Sequence, residues 1–129
     1  LFSHIHLGTN DLARSFPFYS ALLDPLGLVL RFHDPEQWAI WQRPGVARPL
    51  FIVGKPFDGQ PASPGNGPMT ALLAERRSLV DLCYRAALDH GGTSEGAPGL
   101  RPQYHANYYG AYFRDPDGNK LCVACHEKE

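Results

Sequence analysis

Phe2-Ser3-His4-Ile5-His6-Leu7-Gly8-Thr9, then Asn10-Asp11, then Leu12, Phe16, Tyr19, Leu23 and Leu26 at steps of three and four, is the stretch that decides the fold. The first eight residues alternate, with His4 and His6 on one face and Ile5 and Leu7 on the other, as in a half-buried strand. Asn10-Asp11 offers an N-cap, and the apolar stripe behind it predicts a helix closed by Gly27. Pro17 interrupts the stripe and removes one backbone donor, so a kink or a displaced start is expected. Three strands are predicted next, at Leu28–Phe32, Trp38–Gln42 and Leu50–Val53. His33-Asp34-Pro35-Glu36 and Arg43-Pro44-Gly45 supply turns between them.

The same order then returns. Residues 55–68 are rich in Pro and Gly and read as a linker. Met69–Ala74 predicts a strand, and Leu79, Leu82, Cys83, Ala86 and His90 form a second helical stripe closed by Gly91-Gly92. Thr93–Pro102 carries no periodicity and reads as irregular. Tyr108–Arg114 and Leu121–His126 predict two strands joined by Asp115-Pro116-Asp117-Gly118, where Pro suits the second turn position and Gly takes positive φ. One βαβββ unit of about 55 to 65 residues exposes an apolar sheet face that it hardly buries alone. The expectation is therefore a single α+β domain over residues 1–129, with module one at about 1–54 and module two at 69–129. The paired modules would form a curved, partly open mixed sheet around a cavity, with helices outside. Cavities between repeated halves are favoured ligand sites.

Composition narrows the function. The chain has 129 residues, with 12 Lys and Arg against 13 Asp and Glu, a net charge of -1. Capture of nucleic acid or an acidic membrane by charge is thereby excluded as the default. No apolar run approaches the roughly 20 residues that span a bilayer. Leu1 opens directly into patterned sequence without a basic and apolar leader, so a cytoplasmic location is the expectation. Three cysteines are too few for a disulfide scaffold. Cys122 and Cys125 form a C-x-x-C, but residues three apart on a strand face opposite ways, so the sulfurs diverge. Tyr104, His105, Tyr108, Tyr109, Tyr112 and Phe113 crowd into ten residues. Alternation puts Tyr108 and Tyr112 on one face with Gly110 between them, and Tyr109 with Phe113 on the other. One set is expected beneath a helix, the other in the cavity, where phenols orient a ligand and rings exclude water.

His4-Ile5-His6-Leu7, Asn10-Asp11-Leu12, Ser15, Phe18-Tyr19, Leu23 and Leu26-Gly27 resemble the opening of the vicinal oxygen chelate superfamily. That superfamily contains the glyoxalase I, bleomycin-resistance and extradiol dioxygenase proteins. Asn107 through Asn119, with its Asp115-Pro116-Asp117-Gly118-Asn119 turn, resembles the same family's second-module ending. Gly99-Leu100-Arg101-Pro102 and Tyr104-His105 are similar to a bacterial glyoxalase-like branch. The resemblance implies paired βαβββ modules and, in metal-dependent members, His, Gln or Glu donors from the first and last strands of each module. The first donor maps onto His4. The last strand of module one carries no donor, the His that often opens module two maps onto Met69, and the usual final Glu maps onto Cys122.

Three readings follow. In the first, the metal site is lost and no cofactor is expected. The cavity then holds an organic ligand through His4, His6, Met69, Tyr108, Tyr112 and Cys122, with Tyr104 and His105 on a loop that closes over it. In the second, His4, His6, Met69, Cys122 and His126 form a softer cluster suited to Cu(I) or Zn(II). If a metal binds, His4 comes first, with Cys122 and His126 beside it. In the third, a neighbouring chain completes an ordinary site for Zn, Ni, Mn or Fe, since shared sites occur in family dimers. The resemblance thus sets a small-molecule binder, homodimeric and without nucleic-acid or membrane partners, against a metal-dependent lyase, isomerase or dioxygenase. Ordinary glyoxalase I activity is not expected, because the carboxylate ligands are absent.

Overall fold

The opening alternation becomes strand β1 (His4–Gly8) in the computed structural model of the chain, which describes residues 1–129. Helix α1 (Leu12–Leu23) starts on Asp11, whose side chain accepts from the Arg14 N–H. Pro17 does not displace that start, although Pro is helical here. The helix ends at Leu23, four residues before the expected Gly27. Pro25 brings no N–H to continue the ladder, and Gly27 takes φ +79° in the turn that follows. Strands β2 (Val29–Asp34), β3 (Trp38–Gln42) and β4 (Leu50–Gly54) complete the first module. The second runs through β5 (Thr70–Leu73), α2 (Arg77–Asp89), β6 (Thr93–Leu100), β7 (Tyr109–Arg114) and β8 (Lys120–Cys125).

Strand β6 is a correction to the reading of 93–102 as irregular. Gly96, Ala97, Pro98 and Gly99 look like a loop, yet Gly96 and Gly99 pair with Tyr112 and Gly110 of β7, with two register shifts along the strand. Edge strands tolerate Pro and Gly at such bulges because no further neighbour needs their donors. The protein forms two mixed four-stranded sheets, ordered β1-β4-β3-β2 and β5-β8-β7-β6, each with one parallel pair at the β1 or β5 end. The sheets are not closed. No helix is long and apolar enough to cross a membrane.

Both modules share one core. Phe18, Tyr19, Leu22 and Leu23 from α1 and Val80, Cys83 and Ala87 from α2 are fully buried against Trp41, Phe51 and Val53 of the first sheet and Phe113, Leu121 and Val123 of the second. Each buried large side chain contributes about 1.5–3 kcal/mol of transfer free energy. Tyr19 lies 5.6 Å from the Phe51 ring, and Phe18 meets Phe113 edge-on at 6.4 Å, so α1 touches both sheets. Register then assigns the remaining faces. His4 and His6 pair with Leu50 and Ile52, on the face of the first sheet turned from the helices. Tyr112 and Cys122 pair on the corresponding face of the second.

The Asp115–Asn119 turn clasps the modules together. Asp115 is buried and accepts the N–H groups of Asp117 and Asn119 at 2.9 and 2.8 Å, while Tyr19 donates its hydroxyl to the same carboxylate. Burial pushes the Asp115 carboxyl above its ordinary range, and the Tyr19 and Asn119 hydrogen bonds oppose that rise. Asn119 donates to the Gly8 carbonyl at 2.9 Å. Asp117 accepts from Thr9, Asn10, Arg14 and Ser15.

Candidate functional site

The D-P-D-G turn sets the register that builds the site. Arg114 faces Lys120, Tyr112 faces Cys122 and Gly110 faces Ala124, and cross-strand partners share a sheet face. Continued by one step, the same row reaches Tyr108 and His126, just beyond the ends of β7 and β8. Tyr109 and Phe113 point the other way: the Tyr109 hydroxyl donates to Asp81 of α2 at 2.7 Å, and Phe113 is fully buried. Alternation therefore separated the two aromatic sets as expected.

A cavity of about 650 Å³ opens on this face. Tyr112, Arg114, Lys120 and His126 come from the row just described, and Tyr104, His105 and Tyr108 from the segment before β7. Met69, with Gly65, Gly67 and Pro68, brings in the end of the linker. Six of the sequence candidates thus meet: Met69, Tyr104, His105, Tyr108, Tyr112 and His126. Cys122 lies fully buried behind them, its sulfur 3.6 Å from the Tyr108 hydroxyl. His4 and His6 do not join this group. They lie on the first sheet, where His4 meets only the Ser3 hydroxyl at 3.0 Å. Burial, followed by the charge of His4, lowers the His6 pKa. The five donors of the softer cluster are accordingly split between two sheets. No three His, Cys, Asp or Glu side chains of this chain converge where an ion would sit. That donor set falls short of what a divalent ion asks of one chain.

Hydrogen bonds order the cavity wall. The Tyr108 and Tyr112 hydroxyls are 2.8 Å apart. Burial raises both phenols above their ordinary range, Tyr108 most, which keeps both hydroxyls protonated and able to donate or accept a hydrogen bond. Burial also raises the Cys122 thiol, with the Tyr108 and Tyr112 contacts opposing, which leaves a thiol and not a nucleophilic thiolate. Cys83, pushed up to about 12 by burial, is inert in the core. The Asn107 N–H donates to His105 Nδ1 at 3.1 Å. Neutral His105 thus carries its proton on Nε2 and donates it to His126 Nδ1, 2.8 Å away. That contact ties the segment holding Tyr104 to the end of β8.

Lys120 was missed by the sequence reading, and Arg101 and Arg114 were not among its site candidates. Arg114 and Lys120 line the cavity, and the Arg101 guanidinium lies 5.6 Å from the centre of the Tyr112 ring. The signal was available, since the turn register that aligns Tyr112 with Cys122 also aligns Arg114 with Lys120. Gly110 sets the position of Tyr108: a Cβ there would lie 2.8 Å from Tyr108 Cε1. Gly110→Ala is expected to push the ring aside and part the two phenols, so that any small molecule held by them binds about tenfold more weakly, the equivalent of roughly one hydrogen bond. Titration calorimetry alongside a melting curve checks this, with the fold retained.

The family model for the glyoxalase/bleomycin resistance protein/dioxygenase superfamily matches residues 1–123. This chain belongs to that superfamily. Among solved structures, the superfamily chain is similar to a glyoxalase/bleomycin resistance protein from Albidiferax ferrireducens, at 37% identity and a TM-score of 0.86, over 96% of this chain and 98% of the other. A glyoxalase/bleomycin resistance protein/dioxygenase family enzyme from Burkholderia phytofirmans shares the fold at 17% identity, TM-score 0.72, over 97% and 98%. A lactoylglutathione lyase from Agrobacterium tumefaciens does so at 21% identity, TM-score 0.65, over 97% and 92%. A search of curated proteins finds no match. Membership fixes the fold of this glyoxalase-superfamily protein, while its chemistry has to be argued from the side chains.

Proposed function

We propose that this superfamily member binds a small organic molecule in the cavity over its second sheet and holds it without metal chemistry. The observation that carries the proposal is the paired Tyr108 and Tyr112 hydroxyls set among aromatic rings in a 650 Å³ cavity. Placed phenol hydroxyls beside aromatic rings in an open cavity of that size suit a small organic ligand. The scatter of donors over two sheets supports the metal-free part, because fewer than three such donors in one place hold a divalent ion weakly.

A homodimer belongs to the same proposal. Val29 and Phe32 on β2 and Trp38 on β3 are 45%, 46% and 38% exposed on the face that carries His4 and His6. Such an apolar face favours burial against another protein surface. His4 and His6 would then reach a ligand cavity only across the dimer.

A thermal-shift screen against varied small molecules, with and without EDTA, tests the proposal. Stabilising ligands are expected to act equally in EDTA. They are expected to lose about tenfold or more in affinity in the Tyr108→Phe/Tyr112→Phe variant, which keeps both rings and removes both hydroxyls. Ligands whose effect EDTA abolishes, or that ignore the double variant, would overturn it. A solution mass near twice 14.3 kDa is expected for the dimer.

A further inference from the structure

We infer that the ligand is an aromatic carboxylate, its ring against Tyr104 and Tyr108 and its charge at Lys120, an inference that rests on the cavity being the ligand site. Charge is the first argument. Arg114 and Lys120 line the cavity and no Asp or Glu does, although the whole chain carries -1. Arg114 is already committed, to the Glu95 carboxylate and to the Gly118 carbonyl at 2.8 Å. Lys120 is in neither of the chain's two ion pairs, Arg14–Asp117 and Arg114–Glu95, and the nearby Glu95 carboxylate makes no direct contact with it. Its ammonium lies 6.0 Å from the centre of the Tyr112 ring, on the same face as the phenol pair. Arg101 adds uncompensated charge nearby, since its guanidinium donates only to the Ala97 and Leu100 carbonyls. Gly96 and Gly99 make room for it: a Cβ at either would approach it within 3.3 or 3.1 Å. An anion is therefore favoured in this cavity, and a cation is repelled.

Shape is the second argument. Tyr104 is 62% exposed, yet its ring lies 4.9 Å from that of Tyr108, at 57°. Two tilted rings at a cavity wall offer a face to a planar ligand. The phenol hydroxyls stand in the same row as Lys120, where one carboxylate oxygen accepts from a phenol and the other from the ammonium. Lys120 is thus a specificity-determining residue, and Tyr104 supplies ring contact irrespective of charge.

Calorimetric titration of the full chain with 2-naphthoate, 2-naphthamide and decahydro-2-naphthoate separates these contributions. The naphthoate is expected to bind at least tenfold more tightly than either analogue. Lys120→Met is expected to bring it to the level of the amide and to leave the amide unchanged, and Tyr104→Ala to weaken both aromatic ligands. Equal binding of acid and amide, both weakened by Tyr104→Ala, overturns this inference and leaves the cavity as the ligand site. Naphthoate binding that neither substitution alters overturns both. Absence of binding by all three at millimolar concentration overturns the aromatic-carboxylate assignment, while the varied screen decides the cavity.

Discussion

Asp117→Ala is expected to cost about 3–5 kcal/mol and to lower the melting temperature by roughly 10–20 °C. The Asp117 side chain is only 2% exposed and receives four donors: the Thr9 hydroxyl at 2.6 Å, the Asn10 N–H at 2.9 Å, Arg14 at 2.8 Å and the Ser15 hydroxyl at 2.9 Å. Thr9 and Ser15 are themselves buried. Deletion of the carboxylate leaves the two hydroxyls, 2.6 Å apart, one acceptor short for their protons, although Thr9 still accepts the Asp11 N–H at 3.1 Å, and it strips the Asn10 N–H of its partner. A buried donor left unsatisfied costs about 1–3 kcal/mol. Arg14 is half exposed, so its ion pair adds little to that sum. The donors come from the Thr9-Asn10 link after β1 and from the first turn of α1, and the acceptor from the β7–β8 turn, so the damage falls on the join between modules. Denaturant unfolding monitored by tryptophan fluorescence checks the figure, and a loss below about 1 kcal/mol would show that water replaces the carboxylate.

Gly92→Ala is the second large effect, an expected destabilisation of about 1–3 kcal/mol. A Cβ at this position would meet the Ala87 carbonyl oxygen at 2.7 Å, Phe18 Cε2 at 2.9 Å and the Arg114 carbonyl oxygen at 3.0 Å. Two of the three obstacles are backbone, and Phe18 is fully buried, so none of them yields without moving α1, α2 or β7. The Gly92 N–H also closes the end of α2 on the Ala87 carbonyl at 2.8 Å, which pins the residue in place. Gly59→Ala makes a useful comparison. Gly59 has φ +75° but nothing within 4 Å of its Cβ, so only the conformational cost of about 1–2 kcal/mol applies there. Equal melting temperatures for wild type and Gly92→Ala would mean that the close approach relaxes freely.

Local periodicity carried most of the fold. The alternation of His4 through Leu7, the Asp11 cap and the Asp115-Pro116-Asp117-Gly118 turn each reappear as expected elements, because their physics is contained in a few adjacent residues. Strand β6 was hidden because Gly96, Pro98 and Gly99 are individually poor strand formers, and only the pairing with β7 makes the segment extended. The end of α1 was placed too late because Leu26 continues the apolar stripe beyond Pro25, and its burial in the turn imitates a helical position.

The site was legible to the same depth. Alternation placed Tyr108 with Tyr112, and turn register places Cys122, Lys120 and His126 beside them. What alternation does not contain is which sheet faces lie together. His4 and His6 face the right way on their own strand, but the shared core leaves their face apart from the Tyr112 cavity within one chain. That is decided by long-range packing around Phe18 and Tyr19 and not by spacing along β1. Lys120 was passed over because a lysine next to a turn ordinarily reads as solvated surface.

Metal content decides the proposal most directly. Protein purified without chelator should contain well under one equivalent of Zn, Ni, Mn or Fe per chain by elemental mass spectrometry, and His4→Ala should leave that content unchanged. One tightly held equivalent that disappears in His4→Ala would mean that two chains together build an ion site, and the metal-free proposal would be wrong.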